Sequence, residues 1–210
     1  MLEIVQSGGW LMAPIILCSI IAAGIIIERL WSLQDKKVVP DHLVAKTWHL
    51  LKENRLGEEE IRNLHESSPL GRLLAIGMAY RDRTREFVKE QVEDAGRHVA
   101  HELERYLNTL GTIAAISPLL GLLGTVVGMI KVFAAITVQG VGNPGVLAGG
   151  ISEALITTAA GLAVAIPSLI GYRYLRGRVA DHVVRMEQEA IKMVEALHGG
   201  AAHPAGESDA

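Results

Sequence analysis

The sequence predicts an all-α membrane protein with three transmembrane helices, and three observations support this prediction. Half of the 210 residues are hydrophobic while only 4% are aromatic, and the mean hydropathy is +0.29, which is unusual for a soluble domain of this size. Three apolar runs, at residues 10–27, 110–130 and 151–172, reach the length of about 20 residues that a membrane-spanning helix needs. The basic residues are confined almost entirely to the segments between and after these runs.

The first transmembrane helix is predicted at residues 10–31. Trp10 and Trp31 bracket it at a distance of about 31 Å, which is one hydrocarbon thickness and is typical of interfacial anchors. The first nine residues contain Glu3 as their only charge, so the basic segment of a cleaved signal peptide is missing. We therefore expect the first run to stay in the membrane.

The orientation follows from the basic residues, because every Lys and Arg except Lys131 lies within residues 29–105 or 173–192. Segments rich in Lys and Arg stay in the cytoplasm. The predicted organisation is a periplasmic N-terminus at 1–9, a first transmembrane helix at 10–31, a cytoplasmic helical domain at 32–109, a second transmembrane helix at 110–136, a periplasmic loop at 137–150, a third transmembrane helix at 151–172, a cytoplasmic helix at 173–198 and a disordered tail at 199–210.

Outside the membrane, the sequence predicts further helices. Ser68 followed by Pro69 is typical of an N-cap and a first helical position, and another helix is expected over residues 42–53. No breaker occurs from about Arg85 to Pro118, so apolar residues at spacings of 3 and 4 predict one long helix that enters the second span. A matching apolar stripe follows the third span, and we expect the two stripes to pack together.

The second span has a face of small residues with one hydroxyl. In a helix, Pro118, Gly121, Thr125 and Gly128 fall within an arc of about 80°, and the spacing of Gly124 and Gly128 is typical of close helix packing. This pattern leaves open whether Thr125 serves packing or a pathway through the membrane.

The third span contains a carboxylate, Glu153, followed by Thr157, Thr158 and Gly161. A charge at the centre of a transmembrane helix costs about 2.5 to 3.5 kcal/mol on insertion scales, so such residues usually serve a function. Alternatively, Glu153 is an interfacial carboxylate stabilised by the helix dipole. Thr157 lies on the face of Glu153 whereas Thr158 lies about 140° away, so periodicity pairs Glu153 with Thr157.

Three motifs carry a resemblance to a known family. They are Gly8-Gly9-Trp10 with Pro14 ahead of Glu28-Arg29, then Pro118-(x)2-Gly121-(x)2-Gly124-Thr125-(x)2-Gly128, and finally Gly150-Ile151-Ser152-Glu153-Ala154-Leu155 followed by Thr158, Gly161 and Pro167. With these motifs the chain resembles the MotA/TolQ/ExbB proton-channel family over almost its entire length, and within it the ExbB branch that energises TonB. Its N-terminus is shorter than that of the best-known ExbB chains.

The resemblance implies a role in the bacterial (Gram-negative) inner membrane. It implies a homopentamer whose second and third helices line a pore around the single transmembrane helix of an ExbD-like partner, which supplies a protonatable aspartate. Thr125 and Thr158 would face this pore, and Glu153 would lie near its periplasmic end. The implied function is that of a proton-driven motor subunit which energises TonB-dependent outer-membrane import. A TolQ-like role in envelope integrity and a non-conducting scaffold are the alternatives.

Other classes of function lack support in the sequence. The net charge of -3 does not suggest nucleic-acid binding, and no histidine lies in a span to activate a nucleophile, so we expect no catalytic residues and no enzyme. His98 and His101 have no third ligand nearby, so no metal or other cofactor is expected. The lone cysteine, Cys18, cannot form an intrachain disulfide and is expected to fill apolar space.

Overall fold

A computed structural model describes residues 8–40, 43, 47, 57–140 and 144–199 of the chain. These residues are mainly helical and contain no strand, which confirms the all-α prediction. The helices are α1 (Met12–Ser32), α2 (Asp35–Val38), α3 (Glu58–Ser67), α4 (Pro69–Ala79), α5 (Arg85–Leu103), α6 (Leu107–Gln139) and α7 (Pro144–Gly199).

Three stretches of helix are long and apolar enough to cross a membrane, as predicted. They lie in α1, in the part of the chain that ends with α6, and in α7. In the most apolar 18-residue stretch of each, only 17%, 22% and 28% of the residues, in that order, are buried inside the chain. Their large side chains therefore point away from the chain's own core, which suits helices that contact lipid or other subunits.

The chain divides into two compact units. The first comprises residues 1–30 and 106–176, and the second comprises residues 31–105 and 177–210. In the first unit, α6 and the beginning of α7 pack against each other, and Ile26 of α1 lies against Gly171 of α7. The candidate site lies in this unit.

The second unit contains α4, α5 and the rest of α7. Ser68 caps α4 as predicted: its hydroxyl accepts a hydrogen bond of 3.0 Å from the backbone N–H of Gly71, and Pro69 is the first residue of the helix. Apolar side chains from the three helices are buried, among them Leu73, Leu74, Met78, Val88, Val92, Val99, Val179, Met186, Ala190 and Met193. Both predicted stripes thus contribute to the core of this unit.

The long helix expected from Arg85 into the second span is interrupted, so that prediction was wrong. The helix ends at Leu103 and restarts at Leu107, because Tyr106 adopts a left-handed backbone conformation with φ of 65°. This conformation is uncommon for residues other than glycine. The Arg29 guanidinium lies 5.4 Å from the centre of the Tyr106 ring, a contact that stabilises the turn.

Some predictions concern residues outside the described part of the chain. Of the helix expected over residues 42–53, only Leu43 and Thr47 are described, and both are helical. The expected tail falls outside the described residues from 200 onward, as do residues 1–7 of the N-terminus and residues 141–143 of the loop.

Candidate functional site

Helices α6 and α7 meet along a seam of small residues. Gly121, Gly124 and Gly128 of α6 are buried there, and Gly161 of α7 faces them. A methyl group added to Gly121 would come within 3.0 Å of the Cα of Thr158, and one added to Gly161 would come within 2.5 Å of the Ser117 carbonyl oxygen. The backbones therefore approach closely enough to require glycine at these positions.

The remaining small residues of the predicted face lie at or beside this seam. A methyl group on Gly128 would lie 2.8 Å from the Ala154 side chain and 2.9 Å from the Gly150 carbonyl oxygen. Pro118 is half-buried and follows Ser117, which is fully buried. The structure thus brings Gly121, Gly124, Gly128 and Gly161 together, with Pro118 at the margin.

Thr158 of α7 bonds to a backbone carbonyl of α6 one turn before Thr125. The hydroxyl of Thr158 donates a hydrogen bond of 2.9 Å to the Gly121 carbonyl oxygen. In an α-helix this carbonyl also accepts the backbone N–H of Thr125, four residues further on. The Thr125 hydroxyl donates to Leu122 of its own helix at 2.6 Å. Both threonines are half-buried, so their hydroxyls lie at the edge of the seam.

Thr157 occupies a different environment from Thr158. Its side chain is 1% exposed, and its hydroxyl lies 2.7 Å from the Glu153 carbonyl oxygen and 2.8 Å from the Gly8 carbonyl oxygen. A hydroxyl has one proton, which these two acceptors share. Thr157 therefore joins α7 to the segment before α1, and its contact with Glu153 is to the backbone.

Glu153 forms an ion pair with Lys131 of α6. The Nζ atom of Lys131 lies 2.5 Å from Oε1 of Glu153, and the two side chains are 50% and 21% exposed. Gly9, with φ of +70°, lies against the same carboxylate, so that a methyl group on Gly9 would collide with Oε1. Glu153 is thus held between α6 and the turn that precedes α1.

The sequence reasoning missed Lys131 and Gly9 as neighbours of Glu153. A signal for Lys131 was present in the sequence, because it is the one Lys or Arg that lies outside residues 29–105 and 173–192. Lys131 and Glu153 also lie equally far from residue 142, in the connection between two antiparallel helices. Residues at equal distances from such a connection come to the same height. No comparable signal marked Gly9.

The seam carries hydroxyl groups at its edge and one carboxylate near its end. Hydroxyl groups both donate and accept hydrogen bonds, so Thr125 and Thr158 can take part in a chain of hydrogen bonds without becoming charged. Glu153 is the only carboxylate between residues 144 and 172. Among the described residues, no cluster of three or more His, Cys, Asp or Glu side chains could bind a metal ion.

Comparison with known proteins identifies the family. The profile of the MotA/TolQ/ExbB proton channel family matches residues 65–188, which include the whole of α6 and the seam. The chain belongs to this family. Together with the three apolar helices, membership of the MotA/TolQ/ExbB family makes it a multi-pass membrane protein.

The relatives of the chain include proteins named ExbB and a protein named TolQ. The chain is 37% identical to a Synechocystis protein named ExbB-like 1 over 176 residues, which are 80% of this chain and 67% of that protein. It is 32% identical to the Vibrio cholerae biopolymer transport protein exbB1 over 183 residues, or 82% and 78% of the two chains. A Tol-Pal system protein TolQ of Haemophilus influenzae is 43% identical over 77 residues, covering 37% and 34%.

Proposed function

We propose that the chain is an ExbB-like channel and stator subunit of a motor driven by the proton-motive force. In this proposal it works with an ExbD-like single-span partner to energise a TonB-like protein and hence outer-membrane import. The observation that carries the proposal is the family match over the hydroxyl-bearing seam, combined with ExbB names among relatives that cover most of both chains.

The need for a partner follows from the chemistry of the seam. Thr125 and Thr158 offer hydroxyls, but a continuous relay also needs a group that takes up and releases a proton within the membrane. Glu153 lies near one end of α7 and is engaged by Lys131. We therefore assign the central protonatable group to an aspartate of the partner.

The same proposal includes a homopentamer in the inner membrane of a Gram-negative bacterium. The basic residues near the membrane ends support a periplasmic N-terminus and a cytoplasmic C-terminus. Repeated copies would cover apolar side chains that a single chain leaves exposed on α6 and α7, such as Leu119, Phe133, Leu155 and Ile166. We propose no enzymatic activity.

The second candidate is a TolQ-like subunit that serves envelope integrity. It is supported by the 43% identity to TolQ, although that stretch covers 37% of the chain. A non-conducting scaffold is a third, weaker candidate. The seam itself is compatible with all three roles, so the choice depends on partners and conductance.

Reconstitution tests the proposal. The chain is co-expressed with an ExbD-like single-span protein, and the purified complex is placed in lipid vesicles. We expect proton uptake when a membrane potential is imposed, five copies of the chain by native mass measurement, and co-purification of a TonB-like protein from cells. Absence of proton uptake would favour the scaffold, and capture of Tol proteins instead would favour the TolQ-like role.

A further inference from the structure

The ion pair between Lys131 and Glu153 joins the only charges of two apolar helical segments. Lys131 is the only charged residue of α6, and Glu153 is the only one between residues 144 and 172 of α7. They pair at 2.5 Å although 22 positions separate them in the sequence. Because an unpaired charge near the membrane interior is unfavourable, each side chain stabilises the other there.

The surroundings of Glu153 fix the direction of its carboxylate. Gly9 lies against Oε1, the same oxygen that Lys131 contacts. Thr157 ties the backbone of Glu153 to Gly8 through its shared hydroxyl. The carboxylate is therefore confined between the α6 ammonium group and the turn before α1, and it remains 21% exposed. A cation approaching Glu153 meets the ammonium group at the same oxygen.

We propose that Lys131 is a specificity-determining residue that excludes alkali cations from Glu153 while still allowing its protonation. This inference rests on the proposed proton-channel function. An alkali cation such as Na+ binds oxygen ligands, so at Glu153 it would have to compete for the carboxylate with the Lys131 ammonium group, which repels it. Lys131 also positions Glu153 for proton entry.

A proton differs from Na+ because it forms a covalent bond. A hydronium ion transfers a proton to a carboxylate oxygen of Glu153: one O–H bond of the hydronium ion breaks, an O–H bond to the carboxylate forms, and a water molecule is left. The neutral carboxyl group then releases the Lys131 ammonium group. When the same proton passes to a carboxylate of the partner protein, Glu153 becomes charged again and the ion pair re-forms. The cycle consumes no other reactant, and charge is conserved at each step.

The experiment compares Na+ with the larger cation choline in the complete complex. Proton uptake is measured in vesicles containing sodium chloride or choline chloride. The rate of each variant in sodium chloride is divided by the rate of the same variant in choline chloride. We expect no Na+ effect on the natural protein or on Lys131→Arg, which keeps the charge. In Lys131→Gln, Na+ should inhibit at a concentration at least about tenfold below the highest one that leaves the natural protein unaffected, equivalent to about 1.4 kcal/mol or more. Adding Glu153→Gln to that variant should remove any Na+ dependence of the thermal unfolding midpoint of the complex, a readout that does not need proton uptake.

Lys192→Gln is the matched control. It removes a lysine from a 2.7 Å ion pair with Glu189 on the same helix, outside the apolar segment. We expect its Na+ response to equal that of the natural protein. An equal response of Lys131→Gln would overturn the inference.

A second measurement does not depend on conduction. Thermal unfolding of the detergent-solubilised complex is followed in the two salts, and Na+ should raise the midpoint only for Lys131→Gln, since a ligand that binds the folded state stabilises it. If the natural complex failed to conduct but this stabilisation occurred, the proton-channel function would be refuted and the exclusion of Na+ by Lys131 supported. No stabilisation of Lys131→Gln would refute the role of Lys131.

Discussion

Two threonines one residue apart on α7 illustrate how a single position changes the role of a side chain. Thr157 lies in the seam and is 1% exposed, while the half-buried Thr158 reaches the Gly121 carbonyl on the other helix. Periodicity paired Glu153 with Thr157, and the structure places the Thr157 hydroxyl on the Glu153 backbone instead of its carboxylate. The carboxylate has Lys131 as its partner. The edge of the seam, where Thr125 and Thr158 lie, is thus chemically distinct from its interior.

Replacing the two edge threonines tests whether their hydroxyls serve conduction. Thr125→Val combined with Thr158→Val keeps the side-chain shape but removes both hydroxyls. We expect a loss of proton-driven uptake of about 100-fold, the lower range for removal of a proton-transfer group. The measurement is proton flux in vesicles containing the complete complex.

The matched control is Thr112→Val combined with Thr137→Val. Like Thr125, both control residues lie on α6 and donate a hydrogen bond to a carbonyl of their own helix, here at 2.9 Å. Both are exposed and lie away from the seam. Their replacement should leave flux unchanged. Equal flux in the two double variants would remove Thr125 and Thr158 from the proposed path.

At the scale of elements, local signals were enough to predict the helices but not the contacts between them. Ser68 and Pro69 mark a helix start through bonds within a few residues, so that start could be read from the sequence. The break at Tyr106 could not, because a left-handed tyrosine has no local preference for that conformation and is stabilised by Arg29, which is distant in sequence. The pairing of Glu153 with Lys131 is likewise a tertiary contact.

The close approach of α6 and α7 predicts a strong effect of one methyl group. Gly161→Ala would place its Cβ 2.5 Å from the Ser117 carbonyl oxygen and 3.0 Å from the Cα of Gly121, both backbone atoms. The helices must then separate, which costs about 1 to 3 kcal/mol in a packed core. We expect a lower midpoint of thermal unfolding in detergent.

A second glycine of α7 provides the comparison. Apart from its chain neighbours and the nearby backbone of its own helix, no described atom lies within 4 Å of the position that a Cβ on Gly177 would take. Gly177→Ala should raise the midpoint, because alanine favours helix by about 0.8 to 1.0 kcal/mol over glycine. Equal effects of the two substitutions would show that the seam is looser than the structure indicates.

The cap of α4 makes a local prediction in the second unit. Ser68→Ala removes the acceptor of the Gly71 backbone N–H, and loss of such a cap costs about 1 kcal/mol. Hydrogen exchange of the Gly71 amide should accelerate by about fivefold or more, since about 1.4 kcal/mol corresponds to a factor of ten. Ser67→Ala is the control, because the neighbouring Ser67 hydroxyl donates to the Leu64 carbonyl of α3, whereas the Gly71 amide donates to Ser68. Similar exchange in both variants would contradict a capping role for Ser68.

For the whole molecule, the apolar surface of the three spans and the distribution of basic residues both indicate how the chain lies in the membrane. Trp10 and Trp31 are each 67% exposed, as suits interfacial anchors of the first span. Most of the residues in the apolar stretches are unburied within the chain, so their packing is completed by surroundings outside it, as suits spans that contact lipid or other proteins. The distribution of basic residues predicts which ends of the helices face the cytoplasm.

Cysteine labelling tests this orientation across the membrane. In a Cys18→Ala background, Gly145→Cys places a thiol at the start of α7, next to the connection from α6, and Asp181→Cys places one further along the same helix. Both positions are exposed. Because basic residues dominate 173–192 and are absent from 137–150, a membrane-impermeant maleimide should label Gly145→Cys in intact spheroplasts and Asp181→Cys only after permeabilisation. The reverse pattern would invert the topology and place Glu153 near the cytoplasmic face, where it could not be the periplasmic entry for protons.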